Sequence, residues 1–141
     1  MKKRLSILML VVASFSFTAC SLDDDDNTNF KYVNLEVLSA DVPETFEFGE
    51  KYTINVTYAN PNTCTYFEGF DIHKHQLTER EVYPIGTELV GSNSDCQEST
   101  EEVEVSFDFE VIYKEDYLFK FWTGKNADGE DEYLEIVVPV N

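Results

Sequence analysis

The chain is 141 residues long and carries 28 acidic residues against 10 Lys and Arg, giving a formal net charge of −18 at pH 7 and a pI near 4.2. Such a surface repels phosphate, which excludes nucleic acid and disfavours anionic glycans and lipid headgroups. Cations and basic protein patches are the partners that this charge favours.

Lys2, Lys3 and Arg4 precede an apolar run from Leu5 to Phe17, and small residues then lead to Cys20. A basic start, a short apolar stretch and a small-residue exit are the features of a secretory signal peptide. The run is shorter than the roughly 20 apolar residues of a spanning helix. Asp23 to Asp26 follow it without a basic stop-transfer cluster. Thr18-Ala19-Cys20 resembles the lipobox of bacterial lipoproteins. That resemblance implies a signal peptide over 1–19 and a lipid on Cys20 that anchors the mature chain to a membrane. Ser21 after the cysteine implies the outer membrane, and Asp23 to Asp26 resemble the acidic export tag of surface-exposed lipoproteins of some Gram-negative bacteria. The expected location is therefore lipid-anchored at the outer membrane and exposed at the cell surface.

Without the signal, seven Lys and Arg face all 28 acids and the net charge becomes −21. The 122 residues that remain are the size of one domain and can bury a core. Residues 20–30, with Ser21, four aspartates, Asn27, Thr28 and Asn29, cannot bury apolar area and are expected to form an acidic flexible tether.

Residues 31–141 then alternate with period two. Val33, Leu35 and Val37 are separated by Asn34 and Glu36, and Tyr52, Ile54, Val56 and Tyr58 by Thr53, Asn55 and Thr57. Val103, Val105, Phe107, Phe109 and Val111 make the clearest run, followed by Tyr117, Phe119 and Phe121 and then by Leu134, Ile136, Val138 and Val140. Each run is a strand with one dry and one wet face. Turn signals at Pro43, Gly49, Asn60-Pro61-Asn62, Gly91 and Asn126-Ala127-Asp128-Gly129 separate them. The pattern predicts about seven strands, over 31–40, 50–59, 65–73, 81–90, 101–112, 117–124 and 132–140, and no helix. Half-wet strands in this number must pair their dry faces, so the expected fold is all-β, an antiparallel two-sheet sandwich.

Cys64 and Cys96 form an even pair in an oxidising compartment, and a structural disulfide between them is expected. Glu115-Asp116-Tyr117-Leu118-Phe119 resembles the acidic-x-Tyr-x-core pattern of immunoglobulin-like domains, in which a tyrosine corner ties a loop to the sheet. Phe119 stands where antibody domains carry a cysteine, and Trp122 lies late in the chain rather than in the third strand. The resemblance implies an immunoglobulin-like sandwich and brings no functional residues with it.

Few residues suggest chemistry. His73 and His75 are two apart on a strand, so both imidazoles can face one metal ion, with Glu79 or Glu81 to complete the set. Two histidines without a defined third ligand are a weak signal, and Lys74, Gln76 and the charges after them point instead to a strand running out into a solvated loop. The acidic segment around Asp128 resembles a calcium loop superficially, but an EF-hand register would begin at Gly124, and an Asp-Gly turn between the last two strands explains it better. No metal is assigned, with His73, His75 and Asp128 the candidates. Most aromatics occupy dry positions; Tyr66, Phe67, Tyr83 and Trp122 do not, and are candidates for binding a sugar or a protein.

No G-x-S-x-G elbow, H-E-x-x-H motif or phosphate-binding glycine loop occurs. The expectation is a protein that is not an enzyme and needs no cofactor. It would be an envelope lipoprotein whose end loops, around 60–68, 74–100 and 124–131, contact a protein or glycan ligand. The alternatives are a small metal protein or enzyme using His73 and His75, and a structural adhesin or envelope-complex subunit.

Overall fold

The computed structural model describes residues 29–91 and 95–141. The signal segment, Cys20 and the tether as far as residue 28 lie outside the described residues.

Eight strands and no helix occur among the described residues. They are β1 (Phe30–Asn34), β2 (Val37–Asp41), β3 (Lys51–Ala59), β4 (Thr65–Lys74), β5 (Glu79–Leu89), β6 (Glu102–Glu110), β7 (Tyr117–Lys125) and β8 (Asp131–Val138). β2, β3 and β6 form a three-stranded antiparallel sheet in that order. The other five form the second sheet. β4 lines one edge of β5 from Arg80 to Glu88. The opposite edge of β5 is shared: β1 pairs with Ile85–Leu89 and β7 with Glu79–Val82, and β8 lies beyond β7.

Two features correct the sequence expectation. The run expected as one strand over 31–40 is two, because the chain changes sheets at Leu35 and Glu36. The Leu35 N–H donates to the Pro84 carbonyl of one sheet, and the Glu36 carbonyl accepts from Ala59 N–H of the other. Apolar alternation runs unbroken through the switch because both sheets bury the same parity. Gly86 lets the crossover pack closely; a Cβ there would meet the Tyr66 carbonyl oxygen at 3.0 Å and Leu35 Cδ1 at 3.2 Å. The second correction concerns direction. β5 runs parallel to β7, so the larger sheet is mixed rather than antiparallel. The β4–β5 hairpin inserts with its second strand, not its first, beside β7.

The dry faces meet in a core of Val37, Phe46, Ile54, Val56, Val82, Val111, Tyr117, Phe119, Phe121 and Val138. Phe46, in the loop between β2 and β3, is fully buried, and its ring lies against those of Tyr52, Phe109, Tyr117 and Phe119. The Tyr117 hydroxyl accepts the backbone N–H groups of Ile112 and Tyr113, both at 3.2 Å, tying the β6–β7 loop to the core. Arg80 is buried under the β4–β5 turn, donating to the carbonyls of Leu77 and Glu79 at 3.1 and 2.9 Å, with its guanidinium 5.5 Å from the Tyr117 ring. The disulfide joins Cys64 to Cys96 with a Cα separation of 5.4 Å. Thr63 and Gln97 are hydrogen-bonded across the same junction.

Candidate functional site

The outward face of the five-stranded sheet gathers most of the residues that sequence reasoning singled out. Odd-numbered residues of β5 point outward, while Arg80, Val82, Pro84 and Gly86 are buried. Cross-strand partners share a face. The pairs His73–Glu81, Asp71–Tyr83 and Tyr66–Thr87 from β4, Tyr32–Thr87 from β1 and Glu81–Lys120 from β7 therefore stand on one surface.

One end of this face is polar and partly ordered by Glu81. Its Oε1 accepts from Lys120 Nζ at 3.0 Å, and its Oε2 lies 2.8 Å from His75 Nε2 and accepts from the Tyr83 hydroxyl at 3.3 Å. Burial raises the affinity of Glu81 for its proton, but the hydrogen bonds from Lys120 and His75 outweigh this and hold the carboxyl below its ordinary range. Lys120 is held above the ordinary lysine value by the same bond, and it also sits 3.6 Å from Glu79 and over the Tyr133 ring. His73 Nε2 pairs with Asp71 Oδ2 at 2.8 Å. One donor atom each from His73, His75 and Glu81 lie within 4.8 Å of one another, the one metal-capable group of this kind among the described residues.

Tyr83 and Trp122 adjoin this cluster and are held by side-chain contacts. The Tyr83 hydroxyl is bonded to that of Tyr133, and burial, followed by that bond, pushes its ionisation well above the ordinary tyrosine value. Trp122 is only 7% exposed, packs beside Tyr83 and donates from Nε1 to Asp131 Oδ1 at 2.9 Å. Both rings take part in the packing of the outer face, Trp122 buried and Tyr83 partly exposed. Phe67 pairs with inward-facing Gly86, ahead of the bulge in β4, and its ring lies on the inner side, 6.0 Å from Tyr58 and 5.2 Å from Phe70. Asp128 sits in the tight turn between β7 and β8, where the Asn126 side chain accepts from Asp128 N–H and Glu130 N–H and Gly129 takes φ of 81°. It stands apart from the histidine group.

The other end of the face is aromatic and open. Tyr66 is 55% exposed, Tyr32 68% and Phe30 50%. Phe30 and Tyr32 border a shallow recess of about 230 Å³ with Glu68, Thr87 and Leu89, Tyr66 stands opposite Thr87 on the same face, and the Thr87 hydroxyl donates to Glu68 Oε1 at 2.6 Å. Sequence reasoning missed Phe30, Tyr32, Glu68, Lys120 and Tyr133. Tyr32 was detectable in principle, because it has the outward parity of Asn34 in the alternating run.

The expected contact segment over 74–100 includes the strand expected over 81–90. Residues 79–89 are β5, the one strand that pairs with three others, because Val82, Pro84 and Gly86 give its inner parity a buried face. A second recess of about 210 Å³ lies where the chain switches sheets; it is bordered by Leu35, Glu36, Asn60 and Ser99, and Asn60 Oδ1 is buried there without a hydrogen bond. Comparison of the chain with protein-family models, with curated proteins and with solved structures finds no match.

Proposed function

We propose that this chain is a lipid-anchored protein of the bacterial outer membrane whose β domain is a non-catalytic binding module displayed at the cell surface. The Thr18-Ala19-Cys20 sequence behind a basic and apolar start supports the anchor, and Asp23 to Asp26 support surface export. Nine residues, Ser21 to Asn29, separate the anchor from β1, a reach of about 30 Å when fully extended. The domain is read as an immunoglobulin-like sandwich. The Tyr117 corner supports that reading, and the parallel β5–β7 pair is a departure from the usual arrangement.

The observation that carries the binding reading is the exposed trio of Phe30 and Tyr32, which line a recess with Glu68 and Thr87, and Tyr66, which stands opposite Thr87 on the same face. None of the three belongs to the core, and large exposed aromatics grouped on a rigid sheet mark interaction surfaces. Ring faces beside a carboxylate and a hydroxyl match a pyranose, which has an apolar C–H face and a rim of hydroxyls. The strongly acidic surface makes a neutral glycan the fitting class. Affinity electrophoresis of the native chain through neutral polysaccharides tests this. Retardation that is lost in Tyr32→Ala and Tyr66→Ala supports the reading. Unchanged mobility in every polysaccharide, or capture of an envelope protein by the same two tyrosines, overturns the glycan assignment. Labelling of cells with a clickable fatty acid tests the anchor, which requires label on the wild type and none on Cys20→Ser.

A further inference from the structure

We propose that the β4–β5 hairpin carries a transition-metal site with His73, His75 and Glu81 as its protein ligands and zinc as the ion it takes. The inference goes beyond the glycan reading and does not depend on it, since it uses the opposite end of the outer face.

Three facts converge. Strand alternation and hairpin register place the donors together: His73 is the direct cross-strand partner of Glu81, and His75 follows two residues later. The donor atoms lie within 4.8 Å of one another, and His75 Nε2 is already 2.8 Å from Glu81 Oε2. A tetrahedral zinc ion, with bonds of about 2.0–2.1 Å to nitrogen and 2.0–2.2 Å to oxygen, needs donor separations of roughly 3.4 Å. Rotation of two half-exposed imidazoles covers that difference without moving the backbone.

The carboxylate is oriented in advance. Lys120 holds Oε1 at 3.0 Å, and the Tyr83 hydroxyl reaches Oε2 at 3.3 Å, so Glu81 presents one oxygen toward the imidazoles. Fixing a ligand through a partner bonded behind it is how metal sites obtain their geometry. Asp71, with Oδ2 2.8 Å from His73 Nε2, lies outside the group of three mutually close donors, so water completes the coordination. Two imidazoles and a carboxylate select zinc, copper or nickel over calcium and magnesium, whose preferred ligands are all oxygen. The net negative charge of the chain concentrates dications at its surface. The Lys120 ammonium on the far oxygen opposes the ion and weakens its binding. Two separate surface ion pairs are the competing account of the same contacts. That account does not require donor atoms of both histidines to lie within 4.8 Å of each other and of Glu81.

The test uses the full chain in detergent without a polyhistidine tag. Zinc calorimetry is expected to give one saturable site per chain. His73→Ala and His75→Ala, both at half-exposed positions, are each expected to weaken it at least tenfold, and Glu81→Gln to a similar degree. Copper(II) serves as the spectroscopic probe. The chain has only two histidines, so electron paramagnetic resonance must show coupling to two imidazole nitrogens. Binding that persists in the double histidine variant, or a copper spectrum with one imidazole or none, overturns the proposal.

Discussion

Trp122 Nε1 donates a 2.9 Å hydrogen bond to Oδ1 of Asp131 across the β7–β8 hairpin. The same oxygen accepts from Lys125 Nζ at 2.7 Å. The Lys125 bond first, and that of Trp122 second, hold the Asp131 carboxyl below its ordinary value of 3.8. A folded value below the unfolded one means that the interaction contributes fully above the unfolded value and fades as pH falls through the folded one. Trp122 is the single tryptophan of the chain, so its emission reports the bond directly. An acid titration is expected to shift that emission with a midpoint below 3.8, and Asp131→Asn to abolish the step while leaving the neutral-pH fold intact. A midpoint above 3.8, or a step that survives in Asp131→Asn, contradicts this assignment.

Tyr117→Phe isolates the corner that ties the β6–β7 loop to the core. The phenyl ring keeps the packing against Phe46 and Phe109, so little volume is lost. Two backbone N–H groups, those of Ile112 and Tyr113, lose their acceptor. An unmet donor costs about 1–3 kcal/mol, less where water reaches it, and Ile112 is exposed. Urea unfolding should show a lower midpoint worth about 2 kcal/mol with an unchanged slope.

Strand existence was legible almost residue by residue, because apolar alternation reports which parity is buried. Val103 to Val111 read as a strand, and β6 covers Glu102–Glu110. The disulfide followed from the two cysteines left once Cys20 is set aside by its lipobox resemblance. Sheet membership was not legible. Leu35 and Val37 are both buried and both in phase, yet they lie on either side of a switch between sheets. The parallel β5–β7 pair depends on contacts some 39 residues apart in sequence, which no local period encodes. Phe46 and Phe48 look alike in sequence, and only the fold decides that the first is fully buried and the second half exposed. At the candidate site the H-x-H spacing pointed to His73 and His75, and Glu81 was one of two acids named beside them. The contribution of Lys120 from β7 required knowing which strand neighbours β5.

Reduction of Cys64–Cys96 should destabilise the domain without dismantling it. The bridge closes a sequence separation of 32 residues, worth roughly 3–4 kcal/mol in the chain-entropy account. The joined segments keep other ties, including Thr63 N–H to the Gln97 carbonyl and the bridge between Asn62 and Glu98. Cys64→Ala with Cys96→Ala is expected to lower the melting temperature by roughly 10–20 °C and to leave the far-ultraviolet circular dichroism unchanged. A melting temperature indifferent to reductant would show that those ties alone hold the junction.

Tyr66 and Phe67 are sequence neighbours on opposite faces of β4, so they separate recognition from stability. The Tyr66 ring is 55% exposed on the outer face opposite Thr87, whereas Phe67 stacks on Tyr58 and meets Phe70 edge-on inside the sandwich. Tyr66→Ala removes little buried surface and should change stability by no more than about 0.5 kcal/mol. Phe67→Ala opens a cavity beneath a half-buried ring and should cost about 2 kcal/mol, below the 3–5 kcal/mol typical of fully buried phenylalanines. Ligand retention in affinity electrophoresis should invert that order. It should be lost with Tyr66→Ala and kept by Phe67→Ala at temperatures where the variant remains folded. Stability losses of equal size in the two variants would place Tyr66 in the core and remove the aromatic recess from the binding argument.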